Sequence, residues 1–342
     1  MASLKFRIPF PIPRPISGRR LAPKITMMMQ RTISSSGMPR FICCLSVGLY
    51  HASALGLVAA GVLGSLAIAR AAQEPTARFT SGVQLVEVYA TVTDAQGEPV
   101  TGLGRDDFQV YEDGRLQDIG AFAAGQFPLT VVLGVDRSWS MAGEPLRLAK
   151  RASEAFLRAL GPDDRSMVLA IGSDAEVVAP LSHDHESQIR ALGTLDPWST
   201  TALHDAVIAA LDRLEPETGR HALVIFSDGV DRYSTASASA VLERARRSSA
   251  LIYPITLGRS RAAFAAEVAV VTGGRSFLLR DARGLEETFT AIARELRYQY
   301  LVGYAPVSPS EPGDGAWHSI RVTVTGSRPG VRVRARDGYS TH

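Results

Sequence analysis

Between residues 83 and 122 apolar and polar positions alternate with a period of two. Val86, Val88, Ala90 and Val92 fall on one face, and Asp94-Ala95-Gln96-Gly97 supplies the turn that ends the run, the pattern of a half-buried strand. A second strand pair is predicted beyond Gly102. There Phe108-Gln109-Val110-Tyr111 leads into Glu112-Asp113-Gly114, and Asp-Gly provides the positive φ that a tight hairpin demands. Residues 80–125 therefore read as a small antiparallel β module.

From Pro128 the period changes. Residues 129–135, 167–171, 222–226, 251–255 and 276–279 are nearly unbroken apolar runs, as strands buried on both faces are. Helical patterns lie between them. Residues 146–160 place Leu148, Phe156 and Leu160 at helical spacing and stop at Gly161-Pro162, where a helix cannot continue. Residues 202–214, 238–247 and 285–296 are predicted helices of the same kind. The alternation predicts a βαβ order throughout residues 128–297, and so an α/β fold whose doubly wound, mostly parallel sheet is covered by helices on both faces. At 298–304 strand patterning returns, crosses a Pro/Ser/Gly-rich loop at 306–315 and resumes at 320–324 and 331–334. These strands, within residues 298–342, are expected to pair with the N-terminal module in a small β-sandwich.

Composition changes the picture mainly at the start of the chain. Residues 1–40 hold two lysines, six arginines and no acid, and residues 41–69 contain no Lys, Arg, Asp or Glu. An apolar stretch of that length reaches the roughly 20 residues that span a bilayer, yet it ends in Ala69-Arg70-Ala71, small residues that a signal peptidase accepts. Residues 1–72 are expected to be a targeting segment, either cleaved near Ala71 or Ala72 or kept as a membrane anchor through residues 41–69, with the rest of the chain extracytoplasmic. Both cysteines, Cys43 and Cys44, lie inside it, so the remainder has no thiol and depends on its own core and on any bound metal. Nine of the 37 basic residues but none of the 34 acidic ones fall in the first 70 positions, leaving the remainder net acidic by six. Nucleic acid is therefore not an expected partner.

The candidate chemistry sits where ligands bind in open α/β sheets, beyond the carboxyl ends of the strands. Asp136-Arg137-Ser138-Trp139-Ser140 follows the first apolar run directly. Oxygens at i, i+2 and i+4 on a loop entering a helix let one carboxylate and two hydroxyls converge on a point, and hard oxygen ligands suit Mg²⁺ or Ca²⁺. Asp228 occupies the equivalent place after residues 222–226, in Ser227-Asp228-Gly229, where the glycine permits a sharp turn. Thr201 lies just ahead of a predicted helix, so its hydroxyl either caps that helix or joins the ligands. Each residue also has a plain structural reading, Ser138 and Ser140 as N-caps and Asp136 as a loop-capping acid. Their conjunction favours the metal.

Together these residues resemble the metal-ion-dependent adhesion site of von Willebrand factor A domains, a DxSxS loop followed by a threonine and then an aspartate. The flanks, with Val100-Thr101-Gly102-Leu103, Asp106-Asp107-Phe108, Glu112-Asp113-Gly114, Tyr300-Leu301-Val302-Gly303-Tyr304 and the closing residues 328–339, are similar to the bacterial VWFA-related family. The resemblance implies that Ser138, Ser140 and Thr201 ligate a divalent cation directly, most readily Mg²⁺ with Ca²⁺ or Mn²⁺ as alternatives, while Asp136 and Asp228 hold it through water. It also implies cation-dependent adhesion to a protein partner that offers an Asp or Glu carboxylate to the metal. Two departures stand out. Ser199-Thr200 replaces a flexible glycine pair, and Trp139 replaces a small residue; packing of Trp139 against Met141 or a neighbouring loop is the expected arrangement, with an exposed aromatic anchor for the partner as the other.

Other functions are weighed against this one. A serine hydrolase would use Ser138 or Ser140 with His183, His185, His204 or His221 as base, but no Gly-x-Ser-x-Gly elbow, Walker loop or dinucleotide fingerprint appears. The chain is expected not to be an enzyme. His183-Asp184-His185 invites a zinc reading, but alternate side chains of an extended segment point apart, and the segment reads more simply as a helix start. A scaffold whose A domain has lost its metal dependence is the third possibility, against which the complete five-residue set argues.

Overall fold

The computed structural model describes residues 85–259, 263–306, 315–326 and 330–341. The predicted targeting segment, with Cys43 and Cys44, and most of the loop at 306–315 lie outside the described residues. Four strands come first: β1 (Val86–Thr93), β2 (Phe108–Glu112), β3 (Arg115–Gln117) and β4 (Ile119–Gly125). The central α/β region follows as β5 (Leu129–Asp136), α1 (Glu144–Ala159), β6 (Arg165–Ile171), β7 (Ala175–Ser182), α2 (His185–Gly193), α3 (Leu203–Leu214), β8 (Arg220–Ser227), α4 (Ala238–Arg246), β9 (Leu251–Leu257), α5 (Ala263–Thr272), β10 (Phe277–Leu279) and α6 (Leu285–Arg297). The chain returns to strands with β11 (Gln299–Tyr304), β12 (Trp317–Val324), β13 (Arg332–Arg334) and β14 (Gly338–Ser340). Among the described residues no helix is long and apolar enough to cross a membrane.

The central sheet runs β10-β9-β8-β5-β6-β7. All its pairings are parallel except β6 with β7. Strands β5 and β8 lie in the middle and are buried at every position, which is why they read as continuous apolar runs. Alternate residues of β5 serve opposite faces. Leu129, Val131, Leu133 and Val135 pack with α1, α2 and α6, whereas Val132 packs with α3, α4 and α5. The sheet is therefore doubly wound as expected.

The order is not βαβ throughout. Strand β7 turns back antiparallel on β6 and closes one edge of the sheet, with register shifts along the pair. It contains Pro180, which donates no hydrogen bond and is tolerated at an edge; that proline hides the strand from a periodicity reading. Helix α5 escapes for a different reason. Its sequence AFAAEVAVVT is apolar nearly all round, so no stripe separates an inner from an outer face. In α1 the buried face is built from Leu146, Ala149, Ala152, Phe156 and Leu157, with Leu148 and Leu160 only partly covered.

The terminal strands do pair. One sheet has the order β13-β1-β11-β4 and the other β14-β12-β2-β3. Their inner faces share one core in which Val88, Val92, Tyr300 and Val302 of the first meet Phe108, Val110, Ile320 and Val322 of the second. Asp113 and Gly114 take φ of +48° and +79°, the left-handed conformations that the Asp-Gly turn between β2 and β3 requires.

The sandwich is fastened to the amino ends of the parallel strands by Arg220. Its side chain is 3 % exposed and donates to the carbonyls of Phe127 and Leu296 and, at 3.0 Å, to Gln299 Oε1. A second fastening is Arg334 of β13, which meets Glu295 Oε2 at 2.6 Å while Tyr253 Oη donates to Glu295 Oε1 at 2.8 Å.

Candidate functional site

Three loops meet beyond the carboxyl ends of β5 and β8, and backbone hydrogen bonds stitch them together. Trp198 N donates to Arg137 O at 2.7 Å and Trp139 N to Ser199 O at 3.1 Å, joining the loop after β5 to the one before α3. Arg232 N and Tyr233 N both donate to Thr201 O, at 2.9 and 3.1 Å, joining the latter to the loop after β8. The first contact pattern carries a local cost, since Ser199 sits at φ +65°, a conformation that favours glycine. The loop thus keeps the geometry of a glycine position without the glycine.

Within this frame Asp136 is wholly buried. Its Oδ1 accepts from Ser138 N at 2.8 Å and its Oδ2 from Ser227 Oγ at 2.6 Å. The Ser138 and Ser140 hydroxyls lie 3.1 Å apart. Asp228 is half-buried, and its Oδ1 accepts from Val230 N at 3.0 Å. Burial pushes the Asp136 carboxyl up from the ordinary aspartate range; hydrogen bonds from Ser138 and Ser227 oppose this, and the charge of Asp228 adds to it. The two carboxylates are close enough to repel, and among the described residues neither is ion-paired with a basic side chain. A divalent cation between them would relieve that repulsion. The donor set is hydroxyl and carboxylate oxygen, as hard cations prefer.

The capping alternatives for the hydroxyl residues are not realised. Ser138 precedes a single 3₁₀ turn and makes no side-chain cap, and the N-cap of α1 is Gly143. The first N–H groups of α3, from Leu203 and His204, go to Asp231 Oδ1 at 2.8 and 3.2 Å. Asp231 thereby does the work open to Thr201, which is buried. Sequence reading missed Asp231, because a helix cap is sought just upstream of the helix and this one arrives from 28 positions downstream. Asp136 does cap its own loop, as its structural reading expects.

Trp139 overturns the packing expectation. It is 65 % exposed, while Met141 is buried. Trp198 and Tyr233, 58 % and 63 % exposed, stand on the other two loops. Each of the three loops thus carries an exposed aromatic ring. The histidines weighed as bases bond elsewhere: His183 to Asp164 O, His185 to Ser166 Oγ, His204 to Ala236 O and His221 to Ser249 Oγ. His183 and His185 thus face different partners, and Asp184 between them caps α2 through Ser187 N.

Residues 131–230 match the sequence model of the von Willebrand factor type A domain, and the chain carries that domain in its central α/β region. No curated protein matches the chain. Among solved structures it is similar to a von Willebrand factor type A protein from Catenulispora acidiphila, with 14 % identity over 77 % of this chain and 75 % of that one at a TM-score of 0.47. It is also similar to an aerotolerance-related membrane protein from Bacteroides fragilis, with 20 % identity over 49 % and 98 % at 0.42. A third is the vWF domain of the type V pili tip protein Mfa5 from Porphyromonas gingivalis, with 12 % identity over 49 % and 95 % at 0.43.

Proposed function

We propose that Asp136, Ser138, Ser140, Thr201 and Asp228 hold a divalent cation, Mg²⁺ in the first instance, and that the chain uses it for adhesion to a protein partner. The observation that carries this reading is the convergence of the Ser138 and Ser140 hydroxyls beside the carboxylate of Asp136. Asp136 has both oxygens engaged by Ser138 and Ser227, so it acts on the ion through neighbouring groups. The hydroxyls, being neutral, leave the ion electron-poor and ready to take a carboxylate from an Asp or Glu of the partner. Trp139, with Trp198 and Tyr233, offers apolar area around that contact, as aromatic anchors at interfaces do. The role is binding without catalysis. It is exercised outside the cytoplasm, a placement supported by the basic residues 1–40 and the charge-free residues 41–69.

The test is calorimetric titration of Mg²⁺ and Ca²⁺ into the purified chain and into folded Asp136→Ala and Asp228→Ala variants. Saturable binding is expected in the parent and its loss in both variants. A parent chain that binds neither ion, or variants that bind as the parent does, would overturn the reading.

A further inference from the structure

The inward row of β2 runs Phe108, Val110, Glu112, at 4 %, 0 % and 5 % exposure. Its third member is a carboxylate where the alternation reserves an apolar side chain. Glu112 pairs with Ile320 across the sheet, so His318, two residues from Ile320, shares its face. The hairpin turn then brings up Asp113, whose Oδ1 accepts from Ser319 N and whose Oδ2 lies 2.8 Å from His318 Nδ1. Glu112 Oε1 is 3.7 Å from the same nitrogen. One ligand atom from each of the three lies within 4.8 Å of the other two.

A buried carboxylate needs a compensating cation, and among the described residues the one ion-pair partner of Glu112 is His318. Among the described residues its other oxygen accepts from Tyr339 Oη at 3.4 Å. The hydroxyl of the wholly buried Tyr304 has no hydrogen-bond partner among the described residues.

We propose that Glu112, Asp113 and His318 form a second divalent-metal site, for an ion of the zinc class, separate from the oxygen site of the central domain. Two ligand atoms each about 2.1 Å from a tetrahedral ion lie about 3.4 Å apart, and the observed separations of 2.8 and 3.7 Å from His318 Nδ1 bracket that value. One imidazole nitrogen with two carboxylates suits Zn²⁺ better than Mg²⁺, which favours all-oxygen octahedra. The ion would staple β2 to β12, strands that are distant in sequence, at the end of the sandwich.

Zn²⁺ is titrated into the full chain carrying Asp136→Ala, which removes the first site from the measurement. One equivalent is expected to bind, and adding His318→Ala or Glu112→Gln is expected to weaken it about 100-fold or more. No saturable binding, or binding that survives both added substitutions, overturns the proposal. A second readout needs no variant. The proton spectrum of the Co²⁺-loaded parent is expected to show a hyperfine-shifted exchangeable imidazole resonance, and its absence also overturns the proposal, since the Asp136 site contains no histidine.

Discussion

At the amino ends of the parallel strands, Arg220 is buried with its donors spread over two carbonyls and Gln299, and Asp164 Oδ1 accepts from Leu129 N at 2.9 Å to close the start of β5. At the carboxyl ends of the same strands two carboxylates repel each other, a serine holds a left-handed backbone and three aromatic rings stand in solvent. One end turns Arg220 onto carbonyls and joins the sandwich, with Arg220 Nε and His221 Nε2 left without a partner among the described residues. The other leaves unpaired charge, strain and apolar surface in one place. Because strain and exposure of this kind cost stability, their concentration at one end marks where binding is expected.

The comparison is broken most severely at the end that joins the sandwich. Arg220→Met leaves buried carbonyls without donors and is expected to cost about 3 kcal/mol, read as a lower denaturation midpoint with cation binding preserved in the folded fraction. At the other end, Asp136→Asn is expected to weaken Mg²⁺ at least about tenfold, or about 1.4 kcal/mol, while cation-free stability at neutral pH holds or rises. The sign follows from the raised carboxyl: the folded chain keeps this proton more tightly than the unfolded one. Its contribution is thus fully present below the ordinary aspartate value of 3.8 and is lost as pH rises through the folded pKa. Denaturation against pH in EDTA should show that falling slope in the parent and a flatter one in Asp136→Asn.

Ser199→Gly relieves the left-handed backbone and is expected to stabilise the chain by about 0.5–1 kcal/mol, the gain reduced by the freedom glycine adds to the unfolded chain. A loss of stability instead would show that the loop is not strained. The smallest effect on folding is expected at the rim. Trp139→Ser and Trp198→Ser should change stability by less than about 0.5 kcal/mol, and a larger drop in thermal midpoint would mean that these rings are structural after all.

Much of the molecule was legible in the residues. The apolar runs marked five strands of the central sheet, and Asp136, Ser138, Ser140 and Asp228 were legible because each follows the end of such a run. Thr201 was ambiguous, since a threonine ahead of a helix serves either purpose until the true cap is known. Strand β7 and helix α5 were hidden, one by Pro180 and the other by uniform apolarity.

Sequence by itself determined most of the elements and which oxygens stand at strand ends, because periodicity, turn chemistry and spacing are local properties that a short stretch of chain already expresses. Only tertiary structure decided that Asp231 caps α3 and releases Thr201, that Trp139 turns outward and that Glu112 meets His318. Each of these depends on which distant segment arrives beside the residue, and that is settled by the packing of whole sheets and loops rather than by any run of neighbours along the chain.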